Sequence, residues 1–273
     1  MQLMDLGSFG IWQPTVRSTP ELAAEAERLG YGTFWLGGSP REPLTQVEEL
    51  LDATERIVIA TGIVNMWADD AGPIAENYHR IEAKHPGRFL LGVGIGHPEA
   101  TKEYQAPYPT MVSYLDELDA AGVPRDRMCL AALGPKVLKL AADRTAGAHP
   151  YLTSPAHTAQ AREIVGGALL APEHMVVVST DADEARAIAR KTLNFYLGLI
   201  NYRNNWLREG YSEADLADGG SDAFVDAMVL HGDAKTIADG LRAHHDAGAD
   251  HVCIQVLGPD PSAGQRALAE VLL

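Results

Sequence analysis

Cationic side chains are in short supply in this sequence: across 273 residues, 22 Lys and Arg face 37 Asp and Glu, a formal charge of −15. A field of that sign repels nucleic acid and anionic membrane surfaces, so neither is expected as a partner and any anionic ligand must be held by local groups. Cysteine is also scarce. Cys129 and Cys253, the two present, lie inside apolar runs and read as buried, reduced thiols, the usage of a cytoplasmic protein. No apolar run approaches the roughly 20 residues that cross a bilayer, and Met1 to Asp5 has neither the charged nor the apolar part of a signal peptide. A soluble, unprocessed chain is expected.

Several catalytic devices are missing as well. There is no His-x-His after the first strand, no His-Glu-x-x-His and no Cys-x-x-Cys, so no metal site is expected. His244 and His245 are adjacent in a helix, where neighbouring positions diverge, and read as surface residues. A Gly-x-Ser-x-Gly elbow does not occur, and none of the strands carries the lysine that Schiff-base chemistry needs.

What the chain has is a β/α rhythm. Ser18-Thr19-Pro20-Glu21 supplies a cap, a first-turn proline and an acid, and Leu22, Ala23, Ala26 and Leu29 follow at helical spacing before Gly30. Further strands read as buried apolar runs, nearly every one followed by a helix, and Thr180 to Asp183 reads as a helix cap. Eight strands start near residues 6, 33, 57, 89, 127, 148, 174 and 251. Eight β/α units in this length point to a closed parallel barrel in one domain, with an open doubly wound sheet as the alternative. Residues 201–232, polar and aromatic, break the rhythm and read as an insertion between the seventh and eighth units.

In such a barrel the active site lies at the carboxyl ends of the strands. Phe89 to Gly94 is a strand buried on both faces, and it runs into Ile95-Gly96-His97-Pro98. Gly92 and Gly94 satisfy half of a dinucleotide fingerprint, but the third glycine position holds His97, so the glycines mark instead a strand end with bare backbone. His97 is the one histidine in a strand-end turn. Gly134-Pro135-Lys136 and Thr153-Ser154-Pro155 each open a helix after a strand, where free N–H groups favour an anion or simply begin a helix. Trp12 and Trp67, at neighbouring strand ends, serve either as substrate-side walls or as barrel-end packing.

Four stretches, in their order and spacing, carry a resemblance over nearly the whole chain: Glu21 to Leu36, Ile59-Ala-Thr-Gly-Ile-Val64, Gly87-Arg-Phe-Leu-Leu-Gly-Val-Gly-Ile-Gly-His97, and Ala131 to Ala142 with its sequel Gly147 to Thr153. Together they resemble the bacterial luciferase-like flavin monooxygenase superfamily, and within it the deazaflavin (coenzyme F420)-dependent oxidoreductases. The resemblance implies a luciferase-like (β/α)8 TIM barrel with an insertion that either covers the pocket or joins a homodimer, the expected assembly. It implies that Val64-Asn65 forms a bulge, often a non-proline cis peptide, behind the tricyclic ring. Gly94, Gly96 and His97 would lie beside that ring, with His97 as the proton-transferring acid. Gly134, Pro135 and Lys136, with Leu152 and Thr153, would hold the cofactor phosphate.

The activity implied is hydride transfer between F420 and an unidentified small organic substrate. An FMN-dependent monooxygenase is the alternative, and a noncatalytic flavin-binding or structural dimer protein is a reading of another class. A sugar-phosphate aldolase or isomerase would want a strand lysine or paired acids, which are absent. Two departures stand out: Gly37-Gly38-Ser39 replaces the acid and histidine with which many relatives end the second strand, and a short connection from His97 to Tyr108 implies an open pocket.

Overall fold

A computed structural model describes residues 4–97 and 106–273. Residues 98–105, with Pro98 and most of the connection to Tyr108, lie outside the described residues. The strands are β1 (Phe9–Pro14), β2 (Thr33–Gly37), β3 (Val58–Gly62), β4 (Val64–Asn65), β5 (Phe89–Gly94), β6 (Met128–Leu130), β7 (Gly147–Ala148), β8 (Leu169–Leu170), β9 (Glu173–Val178), β10 (Val229–Gly232) and β11 (Val252–Val256). Every pairing between them is parallel, in the order β10-β9-β11-β1-β2-β3-β5-β6-β7-β8.

The two ends of this path meet. Only Ala171 and Pro172 separate β8 from β9, and that stretch bonds to both neighbours: Ala171 N–H to the Ala148 carbonyl (2.9 Å), and Cys253 N–H to the Pro172 carbonyl (2.9 Å). Residues 169–178 therefore act as one bent strand that closes the ring, as the eight-unit count predicts. The sequence reading did not resolve β4, the short continuation of β3 on β5, or β10, which pairs with β9 from within the 201–232 stretch.

Alternation explains the buried runs. In β2, Phe34 and Leu36 pack outward against helices while Trp35 faces the barrel interior with Val58, Ala60, Leu90, Cys129 and Cys253. Both cysteines are buried free thiols, as expected. Trp35 donates from Nε1 to His251 Nε2 (3.1 Å) and stacks on His149 with ring centres 4.2 Å apart.

The helices are α1 (Pro20–Leu29), α2 (Thr45–Asp52), α3 (Ala71–Lys84), α4 (Pro107–Ala120), α5 (Pro135–Arg144), α6 (Pro155–Val165), α7 (Ala182–Leu197), α8 (Ile200–Arg208), α9 (Asp222–Met228), α10 (Ala234–Asp246) and α11 (Pro261–Leu272). Thr19 caps α1 by accepting Leu22 N–H, as its spacing predicts. For α7 the cap is Asp181 rather than Thr180, because its carboxylate accepts from both Asp183 and Glu184 N–H and adds negative charge at the positive end of the helix. His244, expected at the surface, is fully buried in α10, hydrogen-bonded to Thr158 (2.8 Å) and His174 (2.9 Å). The face that α10 turns to the sheet decides its burial, which adjacency to His245 does not reveal. Among the described residues no helix is long and apolar enough to cross a membrane.

Candidate active site

A cavity of about 620 Å³ opens at the carboxyl ends of the strands, roofed on one side by α7 and α8. Its floor is set by Trp12 at the end of β1. The indole lies across the end of β2, where a Cβ on Gly37 would stand 2.0 Å from Trp12 Cζ2. The end of β2, where the resemblance implies an acid and a histidine, is therefore covered by the indole, and Gly37 is bare to admit it. Trp12 lines the cavity and packs against Tyr151, ring centres 5.2 Å apart. Trp67, the other expected wall, is half-buried and does not line it.

His149 lies beside this floor. Its Nδ1 is 2.7 Å from the Ala171 carbonyl, which can only accept, so Nδ1 carries the proton and Nε2 presents a lone pair. Burial lowers the imidazole to about 4, which keeps it neutral across the physiological range.

At the end of β5 the expected residues divide. Ile95, Gly96 and His97 line the cavity with Asn65. Gly96 has φ 65, and a Cβ there would lie 2.6 Å from Asn65 Nδ2, so the bare backbone lets the Asn65 amide fold against it. Asn65 Oδ1 accepts Trp67 N–H (2.9 Å). Gly94 and Val64 belong to the wall behind: Val64 is fully buried and pairs with Val93, while a Cβ on Gly94 would meet Ala131 and Ile63 at 2.9 Å. Because Val64-Asn65 is held in the ladder with β5, the bend falls earlier. The non-proline cis peptide is Gly62–Ile63, where the strand leaves β2 and before it resumes beside β5, and both of its residues line the cavity.

The opposite end of the cavity is the candidate anion site. Gly134 precedes α5 and lines the cavity, whereas Pro135 and Lys136 do not. The Lys136 ammonium sits 3.8 Å from the ring centre of Tyr108, a cation–π contact. Arg208 lines the cavity here, its guanidinium 3.5 Å from where a Gly134 Cβ would be. Leu152 and Thr153 are buried and do not reach the cavity. Leu152, at φ 57, has its N–H accepted by the fully buried carboxyl group of Glu173 (2.9 Å), so this turn is fixed by the core.

The largest group of residues that sequence reasoning missed is the wall made by α7 and α8: Phe195, Tyr196, Asn201, Tyr202, Asn204 and Arg208. Asn201, Asn204 and Arg208 fall at i, i+3 and i+7, one helical face, and that spacing is the signal that could have found them. Asn205 Oδ1 accepts from Arg208 (2.9 Å), and Glu209 accepts from Ser154 (2.6 Å), docking the helix onto the start of α6.

The sequence pattern of luciferase-like monooxygenases matches residues 4–251. The chain belongs to that family. Among curated proteins it is similar to the N-acetyl-S-alkylcysteine monooxygenase of Bacillus subtilis, 34% identical over 115 residues, 38% of this chain and 34% of that one. A second B. subtilis relative, YwcH, is 34% identical over 91 residues, so the matches span about a third of these relatives' lengths. Among solved structures, this luciferase-like chain superposes on an F420-dependent secondary alcohol dehydrogenase (TM-score 0.79, 16% identity, 97% of both chains). It also superposes on the FMN-bound oxygenating component of 3,6-diketocamphane monooxygenase from Pseudomonas putida (TM-score 0.69, 12% identity, 96% and 95% covered). At such identities these likenesses speak to the fold of this luciferase-like barrel.

Proposed function

We propose that this barrel is an F420-dependent oxidoreductase that transfers a hydride between the deazaflavin and a small organic substrate. The observation that carries the reading is the composite cavity: bare backbone at Gly96 against Asn65, and a glycine-led helix start with a cation at the far end. The residues fit a flat, polar-edged ring with an anionic tail. The volume is within the range of roughly 300–1,000 Å³ usual for small-molecule sites, and Trp12 Nε1 and His149 Nε2 are buried beside it without a partner. The ring would supply the hydride chemistry. Asn65, Gly96 and the Gly62–Ile63 segment would support it, and Gly134 with Arg208 would hold the tail phosphate. His97, which lines the cavity with its ring 5.5 Å from that of Tyr202, would move the single proton that accompanies the hydride.

F420 is favoured by the four stretches that resemble deazaflavin enzymes and by the F420-dependent alcohol dehydrogenase among its structural relatives. The second reading, an FMN-dependent monooxygenase, draws on the curated monooxygenase at 34% identity. Titrating the purified protein with F420 and with FMN, followed by fluorescence, separates them. Binding of FMN alone would move the assignment to the second reading, and binding of neither would end both. His97→Ala is expected to slow turnover and leave cofactor affinity largely intact; unchanged turnover removes His97 from the mechanism.

A further inference from the structure

The cavity has two chemically different ends, and α8 reaches both. Tyr202 and Arg208 are six residues apart, about 9 Å along a helix axis. The Arg208 end carries the charge. Among the described residues, the lining holds no carboxylate, and Arg208 is its one Lys or Arg. Around Tyr202 the wall is Trp12, Tyr151, Tyr196, His97 and neutral His149. An anion moved there would lose its water and leave the Arg208 charge behind, whereas a flat apolar molecule would meet aromatic faces.

Within that aromatic wall the hydroxyls are not equivalent. Tyr196 donates to the Tyr151 hydroxyl (2.9 Å), and Tyr151 donates to Gln255 Oε1 (2.8 Å). Tyr202 is packed as tightly, with the rings of Tyr196, His97, Trp206 and Tyr151 at 5.0, 5.5, 5.7 and 6.4 Å. Yet its hydroxyl has no hydrogen-bond partner among the described residues, and the residue lines the cavity. Burial, with Tyr196 and Glu173 nearby, pushes this phenol well above its ordinary range, so it stays a donor at any physiological pH.

We propose that the Tyr202 end is the substrate compartment, that it takes an uncharged flat molecule bearing a carbonyl-type oxygen, and that Tyr202 Oη–H is the donor that fixes that oxygen. This rests on the reading that a deazaflavin or flavin ring occupies the rest of the cavity. Two probes of one shape test it: acetophenone, and α-methylstyrene, in which a methylene group replaces the oxygen. Their dissociation constants are measured by ligand-observed NMR on protein loaded with whichever cofactor the titration shows to bind. Tyr202→Phe, which keeps the ring and its packing, is expected to weaken acetophenone about five- to tenfold, the worth of one neutral hydrogen bond, and to leave α-methylstyrene unchanged. Tyr196→Phe is expected to leave the ratio of the two constants as in the wild type.

Equal effects of Tyr202→Phe on both probes, or none on either, would overturn the assignment, as would a ratio that follows Tyr196 instead. Benzoate binding more tightly than acetophenone would overturn the neutral-substrate claim. The cofactor titration fails or succeeds separately: a protein that binds neither F420 nor FMN refutes the functional reading. The two probes, compared on that same protein, still decide the role of Tyr202.

Discussion

Glu173→Gln tests whether the turn behind the site depends on an acid kept neutral in the core. The carboxyl is fully buried at the start of β9, with one oxygen accepting Leu152 N–H and the other without a partner. Burial raises it from its ordinary 4.5 to about 8, and the Leu152 bond pulls weakly the other way. The sign follows from proton uptake. Between those two values the unfolded chain has lost the proton that the folded chain keeps, so stability falls as pH rises across that window and is flat above it. At about 1.4 kcal/mol per pH unit the ceiling is roughly 5 kcal/mol, and a loss of about 2 kcal/mol or more is expected. Glutamine keeps an acceptor for Leu152 and cannot ionise. Chemical unfolding of both proteins from pH 5.5 to 9 should therefore show the variant gaining on the wild type up to about pH 8. A difference that stays constant with pH, or runs the other way, refutes a neutral buried Glu173.

Two further substitutions probe the site's construction. Gly37→Ala puts a methyl group into the Trp12 indole and should cost about 1–3 kcal/mol, seen as a lowered Tm; pairing it with Trp12→Leu should recover part of that loss, and additive losses would show that the two residues are not packed as described. Arg208→Gln should weaken F420 or FMN about tenfold in a salt-dependent way, while Lys136→Gln, whose charge rests on Tyr108, should change affinity less than twofold; the reverse order would return the anion site to Lys136.

The barrel was legible because its signals are local. A run such as Phe89 to Gly94 is buried on both faces wherever it sits in a parallel sheet, and Thr19-Pro20 starts a helix through bonds made within one turn. The candidate site was legible only where it shares that locality. Gly96, His97, Asn65, Gly134 and Trp12 end a strand or begin a helix and do line the cavity. Leu152 and Thr153 satisfy the same positional rule, yet they are drawn into the core because Glu173, twenty-one residues on, takes the Leu152 N–H.

What stayed hidden depends on pairs distant in the chain. Gly37 is meaningful only with Trp12 lying over it, and nothing near Lys136 in sequence reveals Tyr108 as its partner or Arg208 at the Gly134 end of the cavity. The 201–232 stretch carried the greatest ambiguity, since an aromatic, polar segment can equally cover a pocket or meet another subunit. In its first helix Asn201, Asn204 and Arg208 turn toward the strand ends, while Trp206 is buried against Phe224. At the β2 end of this barrel an indole stands over Gly37, so that strand presents no acid or histidine to the cavity. With Tyr202 bounding the proposed substrate compartment and Arg208 the proposed anion end, the proposed function puts substrate recognition on α8, facing the strand-end residues Asn65, Gly96 and His97 across one cavity.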